Sequence, residues 1–295
     1  MSATQMQAED AQMNRPERRG LRKGLYLIPS AFTAANIGMG YFAVMGALRG
    51  FQLVKGGTDV ELNLAAAHFN NAARAIGWAW VFDMLDGRIA RMTKTTTEIG
   101  VQLDSLADVL TFGIAPAVLV YSWGFGAALA DGSDALKLGW FLSFMFLICG
   151  AFRLARFNVQ SMRPRVLAEG AAKLDKKNFV GLPIPMAGGL IAAIVHFAPQ
   201  PLSRYGVELG ALYSGLMMAL VALLAVLMVS TVRYSSFKTV GTDRRSTRVA
   251  ILVAAAIGML VWLYSRYVVL TLVALYVLHG MLLRLASLFR YVRAR

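Results

Sequence analysis

The sequence predicts an all-α fold: a polytopic membrane helix bundle of eight spans. Three observations support it. Of the 295 residues, 57% are hydrophobic, with a mean hydropathy of +0.56, whereas a soluble domain is about 45–50% apolar. Several apolar runs approach or exceed the ~17–25 residues that a helix needs to cross a bilayer. The basic residues gather on one side of those runs. Backbone in lipid must satisfy its own hydrogen bonds, so the spans are helices.

The first span is expected at 26–48, after a polar tail, residues 1–24, that carries Arg15, Arg18, Arg19, Arg22 and Lys23 and reads as cytoplasmic, with no cleavable signal peptide. It contains Asn36, a polar residue suited to packing between helices or to a ligand contact, and a GxxxG pair, Gly46 and Gly50. The second, 65–91, ends among Arg88, Arg91 and Lys94. The third, 98–123, starts at Glu98, which has capping-box spacing from Thr95. The fourth, 138–160, closes on "CGAFRLARFNVQ" and leads into a polar, basic loop at 161–179. The fifth, 180–198, opens with Pro183 and Pro185, tolerated near a helix start. The sixth covers 208–231. The seventh and eighth, 249–265 and 267–288, are short and divided only by "SRY" at Ser265 to Tyr267. No internal repeat of fixed period is present.

This layout places 24 of the 30 basic residues on one side. The other side holds 6: Arg49, Lys55, Arg74, Lys137, Arg204 and Arg266. The positive-inside rule then puts both termini in the cytoplasm. A net charge of +14 would suggest nucleic acid as the partner of a soluble protein. Here it reads as a topology signal and as attraction to anionic membrane lipid and phosphate, with no nucleic-acid partner expected. Cys149 is the single cysteine, so no intrachain disulfide forms. His68, His196 and His279 lack metal-ligand spacing and read as polar residues near helix ends.

The stretch "DMLDGRIARMTKTTTEIGVQLDSLADVL", residues 83–110, breaks the apolar pattern. Asp83 and Asp86 lie three apart near the end of span two, and Asp104 and Asp108 four apart in the first turns of span three. Each spacing puts its pair on one helix face. Asp104 falls ~9 Å and Asp108 ~15 Å beyond Glu98 along the helix, below the cytoplasmic surface but short of the midplane. Carboxylates at that depth are costly and usually functional. Converging carboxylates repel unless cations neutralise them, and oxygen-only donors select hard ions, Mg²⁺ or Mn²⁺. A pair of such ions holds phosphoryl substrates and stabilises developing charge. Gly87, Ala90 and Gly100 leave room for a bulky ligand beside the backbone, and Arg91 supplies a fork for phosphate oxygens. Proton or cation transport is the other use of intramembrane aspartates; a chain built for it would release no nucleotide.

The full pattern is D-x-x-D-G-x-x-A-R, eight residues, then G-x-x-x-D-x-x-x-D. It resembles the signature of the CDP-alcohol phosphotransferase family. The resemblance implies a six-helix catalytic core, here with two extra C-terminal helices. The chain then divides into the tail, a core at 25–240, and a helix pair with a basic tail at 241–295. It also implies that an alcohol displaces CMP from a CDP-linked lipid, with two divalent metal ions as cofactors, in a homodimer. Carried over by position, Asp83, Asp86 and Asp104 match metal ligands, and Asp108 a metal ligand that takes the alcohol proton. Gly87, Arg91 and Thr97 match contacts to the CDP group.

"LIPSAFTAANIGMGYFAV" (27–44), "CGAFRLARFNVQ" (149–160), "NFVGLPIPMAGGL" (178–190) and "MVSTVRYSSFK" (228–238) resemble the phosphatidylserine-forming branch, with CDP-diacylglycerol and L-serine as substrates. Ser30 stands where that branch often has Asn, which leaves the catalytic assignment intact. Bacterial-type members imply the inner membrane, with the active site cytoplasmic. A serine substrate needs a cation for its carboxylate. Arg156 first and Arg153 second are the expected partners, three apart on one face, and Asn158 helps orient serine. The plainer reading of these arginines is snorkelling and topology. A sibling enzyme using glycerol 3-phosphate, inositol phosphate or choline is the alternative.

Overall fold

The computed structural model describes residues 19–93, 98–162, 178–230, 233–235 and 244–293. The chain runs through helices α1 (Arg19–Val54), α2 (Asp59–Thr93), α3 (residues 98–128) and α4 (Asp134–Met162). Strand β1 (Asn178–Val180), α5 (Ile184–Phe197), α6 (Gly206–Val229), strand β2 (Arg233–Ser235) and α7 (Arg244–Arg293) follow. The fold is a polytopic helical bundle. Among the described residues, five stretches are long and apolar enough to cross a membrane: Ala31–Val54, Ile99–Ala128, Asp134–Val159, Leu202–Val229 and Leu252–Leu282.

Two of the expected spans depart from that description for physical reasons. The charges of α2 lower its hydropathy, and it is sheltered by α1 instead. Gly46 and Gly50 of α1 lie against Ala72 and Phe69 of α2, so the GxxxG pair brings the two backbones together. Phe69, Ala72, Ile76 and Ala79 are buried there. Helix α5 is only 14 residues, ~21 Å, shorter than a ~30 Å hydrocarbon core. It is instead a central helix, buried at Ile184, Ala187, Gly188, Leu190 and Ile191 between α2, α3 and α7.

Local chemistry fixes several boundaries. Thr58 caps α2: its Oγ1 donates to Glu61 Oε2 at 2.6 Å and accepts from the Glu61 amide at 3.3 Å. The bonds from the Thr58 hydroxyl and then its amide hold the Glu61 carboxyl below the usual carboxylate range. Helix α1 begins at Arg19 rather than after residue 24, so the end of the expected tail is helical. Residues 178–180 are not the start of the fifth span. They pair antiparallel with β2, Asn178 opposite Ser235 and Val180 opposite Arg233. Gly181 then turns the chain at φ 84°, and α5 starts behind Pro183, which holds the N-cap. Thr95 and most of the basic loop, 163–177, lie outside the described residues.

Helix α3 widens just after the second aspartate pair. Residues Val109–Ile114 form a π turn, in which the Ala115 amide bonds the Leu110 carbonyl. Pro116 has no N–H to return to Phe112. The Phe112 carbonyl faces Gly188 of α5, where a Cβ would sit 2.6 Å from that oxygen and 2.9 Å from Pro116 Cγ. Gly188→Ala therefore overpacks the α3–α5 contact. It should destabilise the protein by about 1–3 kcal/mol, read as a lower unfolding temperature in detergent. Gly189→Ala, where a Cβ meets open space, should leave it unchanged.

The last expected pair of spans is one hydrogen-bonded run that breaks at Tyr264, φ −131° and ψ 42°. The break lies one residue before the predicted "SRY" divide and gives two arms. His196 at the end of α5 bonds Ser265 Oγ through Nε2 at 2.9 Å and Asn70 Oδ1 through Nδ1 at 2.7 Å. The Phe197 and Tyr267 rings meet edge-on at 5.6 Å. The second arm starts there and buries Val277 against the core, with Leu270, Val273, Ala274 and Met281 beside it.

Candidate metal centre and acceptor site

Helix α2 delivers Asp83 and Asp86, and α3 delivers Asp104 and Asp108. The packing brings one carboxylate oxygen each of Asp83, Asp86 and Asp104 within 4.8 Å of one another. Asp86 is buried and the other two half-buried. Asp108 joins from the next turn of α3, its carboxyl hydrogen-bonded to that of Asp83. Carboxyl groups this close share a proton or a cation. Asp108 Oδ1 is buried and accepts no hydrogen bond among the described residues.

Charges near Asp108 are unbalanced. Among the described residues, Asp83, Asp104 and Asp86 act on it, against the guanidinium of Arg153. All the clustered donors are carboxylate oxygens, the set that hard divalent cations take. The residues present therefore fit a divalent metal centre.

Helix α1 supplies the outer support, which sequence reasoning missed. Thr33 Oγ1 donates to Asp86 Oδ2 at 3.1 Å, inside the protein. Such a bond orients a metal-binding carboxylate. Its signal was available: Thr33 precedes Asn36 by three residues, on the same helix face. Asn36 is fully buried. Its backbone carbonyl accepts from Thr111 Oγ1 at 3.3 Å, while both of its side-chain amide atoms lack a partner among the described residues. Buried polar groups in that state are rare and call for a ligand or ion. Thr111 sits in the π turn, a feature frequent at functional sites.

The arginines separate. Arg153 is the one brought near Asp108, and its Nε is buried with no acceptor among the described residues. Arg156 is half-buried, one helical turn beyond Arg153 on α4. Asn158 Nδ2 donates to Ser105 Oγ at 2.8 Å, and Ser105 bonds back to Val101. Asn158 thus braces α4 against the turn of α3 between Asp104 and Asp108. Gly87 is half-buried and Gly100 exposed. Ala90 and Arg91 lie in α2, but their side chains, and Thr97 altogether, are outside the described residues.

Comparison with known proteins agrees with this geometry. The sequence model of the CDP-alcohol phosphatidyltransferase family matches residues 26–231. The chain is 32% identical over 222 residues to a Helicobacter pylori protein named CDP-diacylglycerol–serine O-phosphatidyltransferase, covering 73% of this chain and 75% of that one. It is 36% identical over 157 residues to a protein of the same name from Methanocaldococcus jannaschii, covering 53% and 60%. It is 35% identical over 167 residues to an archaetidylserine synthase of Methanothermobacter thermautotrophicus, covering 56% and 58%.

Proposed function

The chain belongs to the CDP-alcohol phosphatidyltransferase family, and on that premise we propose that it transfers the phosphatidyl group of CDP-diacylglycerol to the hydroxyl of L-serine, giving phosphatidylserine and CMP. One observation carries the reading. The oxygens of Asp83, Asp86 and Asp104 converge with Asp108 beside them and a half-buried arginine next to it. The names of the relatives support serine as the acceptor.

Asp83, Asp86 and Asp104 would hold divalent metal, with Asp108 completing the set for two ions, Mg²⁺ or Mn²⁺. When bound, these ions neutralise phosphate oxygens and ease the departure of CMP. The chain's own groups do the rest. Asp108 accepts the serine hydroxyl proton as the oxygen attacks the phosphorus that carries the diacylglycerol ester. A new P–O bond to serine forms, the bond from that phosphorus to the anhydride oxygen breaks, and its electron pair leaves on CMP. Asn36, with its unpartnered amide, contributes to the CDP-lipid pocket together with Gly87, Ala90, Arg91, Thr97 and Gly100. Arg153 takes the serine carboxylate. Arg156, one helical turn further along α4, suits arriving anions or lipid phosphate.

The protein is integral to the membrane. The charge asymmetry supports the cytoplasmic membrane, with both termini and the site on the cytoplasmic side. The family match at 26–231 supports a core at 25–240 and an added helix pair at 241–295. A homodimer is the assembly implied by the family.

The test is CMP release from CDP-diacylglycerol by purified protein in detergent with Mg²⁺ or Mn²⁺. L-Serine, glycerol 3-phosphate, inositol phosphate, choline and no acceptor are compared, and the lipid product is identified. Serine-dependent release with phosphatidylserine formed is expected. Release with a different acceptor would keep the chemistry and overturn the substrate. No release with any acceptor would overturn both.

A further inference from the structure

Tyr276 lies beyond the stretch that matches the family, which ends at residue 231, yet α7 carries it to the aspartate site. The His196–Ser265 bond and the Phe197–Tyr267 ring contact set the start of the second arm level with the end of α5. The arm then runs back along α5 with Val273, Ala274 and Val277 on the core. It reaches Tyr276 ~16 Å beyond Ser265, at ~1.5 Å per residue. Helix α5 covers ~18 Å between His196 and Ile184, and Ile184 packs on Gly150 of α4. Arg153 follows Gly150 by three residues, ~4.5 Å. Tyr276 and Arg153 therefore stand within about one helical turn of the same level. Each lies in electrostatic reach of the other, and Tyr276 is half-buried.

Arg153 needs something to orient it. Among the described residues, the carboxylate acting on it is that of Asp108. A guanidinium forked fully onto Asp108 would occupy the oxygens that must take a proton. The Tyr276 phenol, in reach of Arg153, offers a neutral acceptor besides that carboxylate.

We propose that Tyr276 is a positioning residue: its phenol oxygen accepts an N–H of Arg153 and keeps the rest of the guanidinium turned towards the carboxylate of the acceptor alcohol. The acceptor pocket is thereby completed by a helix outside the family's matched region. This deepens the serine-transfer reading and rests on it.

The test uses the full-length enzyme in detergent with Tyr276→Phe, which keeps the ring, and Val277→Ala, which loosens packing on the same arm. Tyr276→Phe should raise the KM for L-serine about tenfold, as expected for a lost bond to a charged group. The kcat and the KM for CDP-diacylglycerol should stay within about twofold. Val277→Ala should lower the unfolding temperature and leave the serine KM unmoved. In an Arg153→Lys background the added effect of Tyr276→Phe should largely vanish, because two residues of one contact are non-additive. An unchanged serine KM in Tyr276→Phe, with wild type making phosphatidylserine, overturns this role and leaves the transfer reading standing. Equal losses in kcat and both KM values mean a structural role and overturn it too. Wild type that makes no phosphatidylserine overturns the transfer reading and the inference together.

Discussion

Asp108→Asn should lower the rate of CMP release by about two to four orders of magnitude, the usual contribution of a positioned general base. Asparagine keeps the size and polarity of the side chain but cannot take the serine proton. The loss should fall on kcat, with the KM for CDP-diacylglycerol changed only a few-fold, because the lipid diphosphate is bound chiefly by other groups. Asp108→Glu, which restores a carboxylate at a displaced position, should recover part of the rate. The contact with Asp83 makes the two groups a unit, so the Asp83→Asn, Asp108→Asn double variant should be little worse than the more damaged single one. Near wild-type turnover in Asp108→Asn would remove it from the role of base and leave the carboxylate cluster as a binding site alone.

Chelation of divalent metal should reduce activity to background, with Mg²⁺ or Mn²⁺ restoring it. Asp86→Asn should raise the metal concentration for half-maximal activity by at least about 10–100-fold, the loss typical of even an outer-shell partner. Binding can be followed without turnover. Saturating Mn²⁺ stabilises the state that binds it, by about 2.7 kcal/mol at one hundred times the dissociation constant. The unfolding temperature of wild type should therefore rise with Mn²⁺ and that of Asp86→Asn much less. Thr33 fixes the direction of Asp86 from α1, so the centre depends on three helices rather than two. A wild-type protein whose stability and activity ignore metal would refute a divalent centre.

Much of this site was legible in the chain. Four aspartates at three- and four-residue spacings within apolar sequence identify two helix faces, and the structure brings oxygens of three of them together. The order of elements was legible too, except at the joints. The β1–β2 pair escaped because three-residue strands leave no readable period. The shortness of α5 was masked by apolar residues continuing on both sides of it. The break at Tyr264 was legible to within one residue from the polar "SRY", and the structure adds that His196 holds Ser265 at that joint.

By itself the sequence pointed to the chemistry: carboxylate oxygens set at helical spacing within membrane-spanning apolar sequence. Such properties follow from residue type and helical period, which are local. Only the tertiary structure decided which groups face the aspartates. Thr33 comes from α1 to bond Asp86, Thr111 ties α3 back to α1 at the Asn36 carbonyl, and Arg153 of α4 acts on Asp108. Those choices depend on how each helix is rotated and on the register between neighbours. A π turn after Asp108 and a broken helix at Tyr264 reset both, and helical periodicity gives neither the π turn nor the rotation that follows the break.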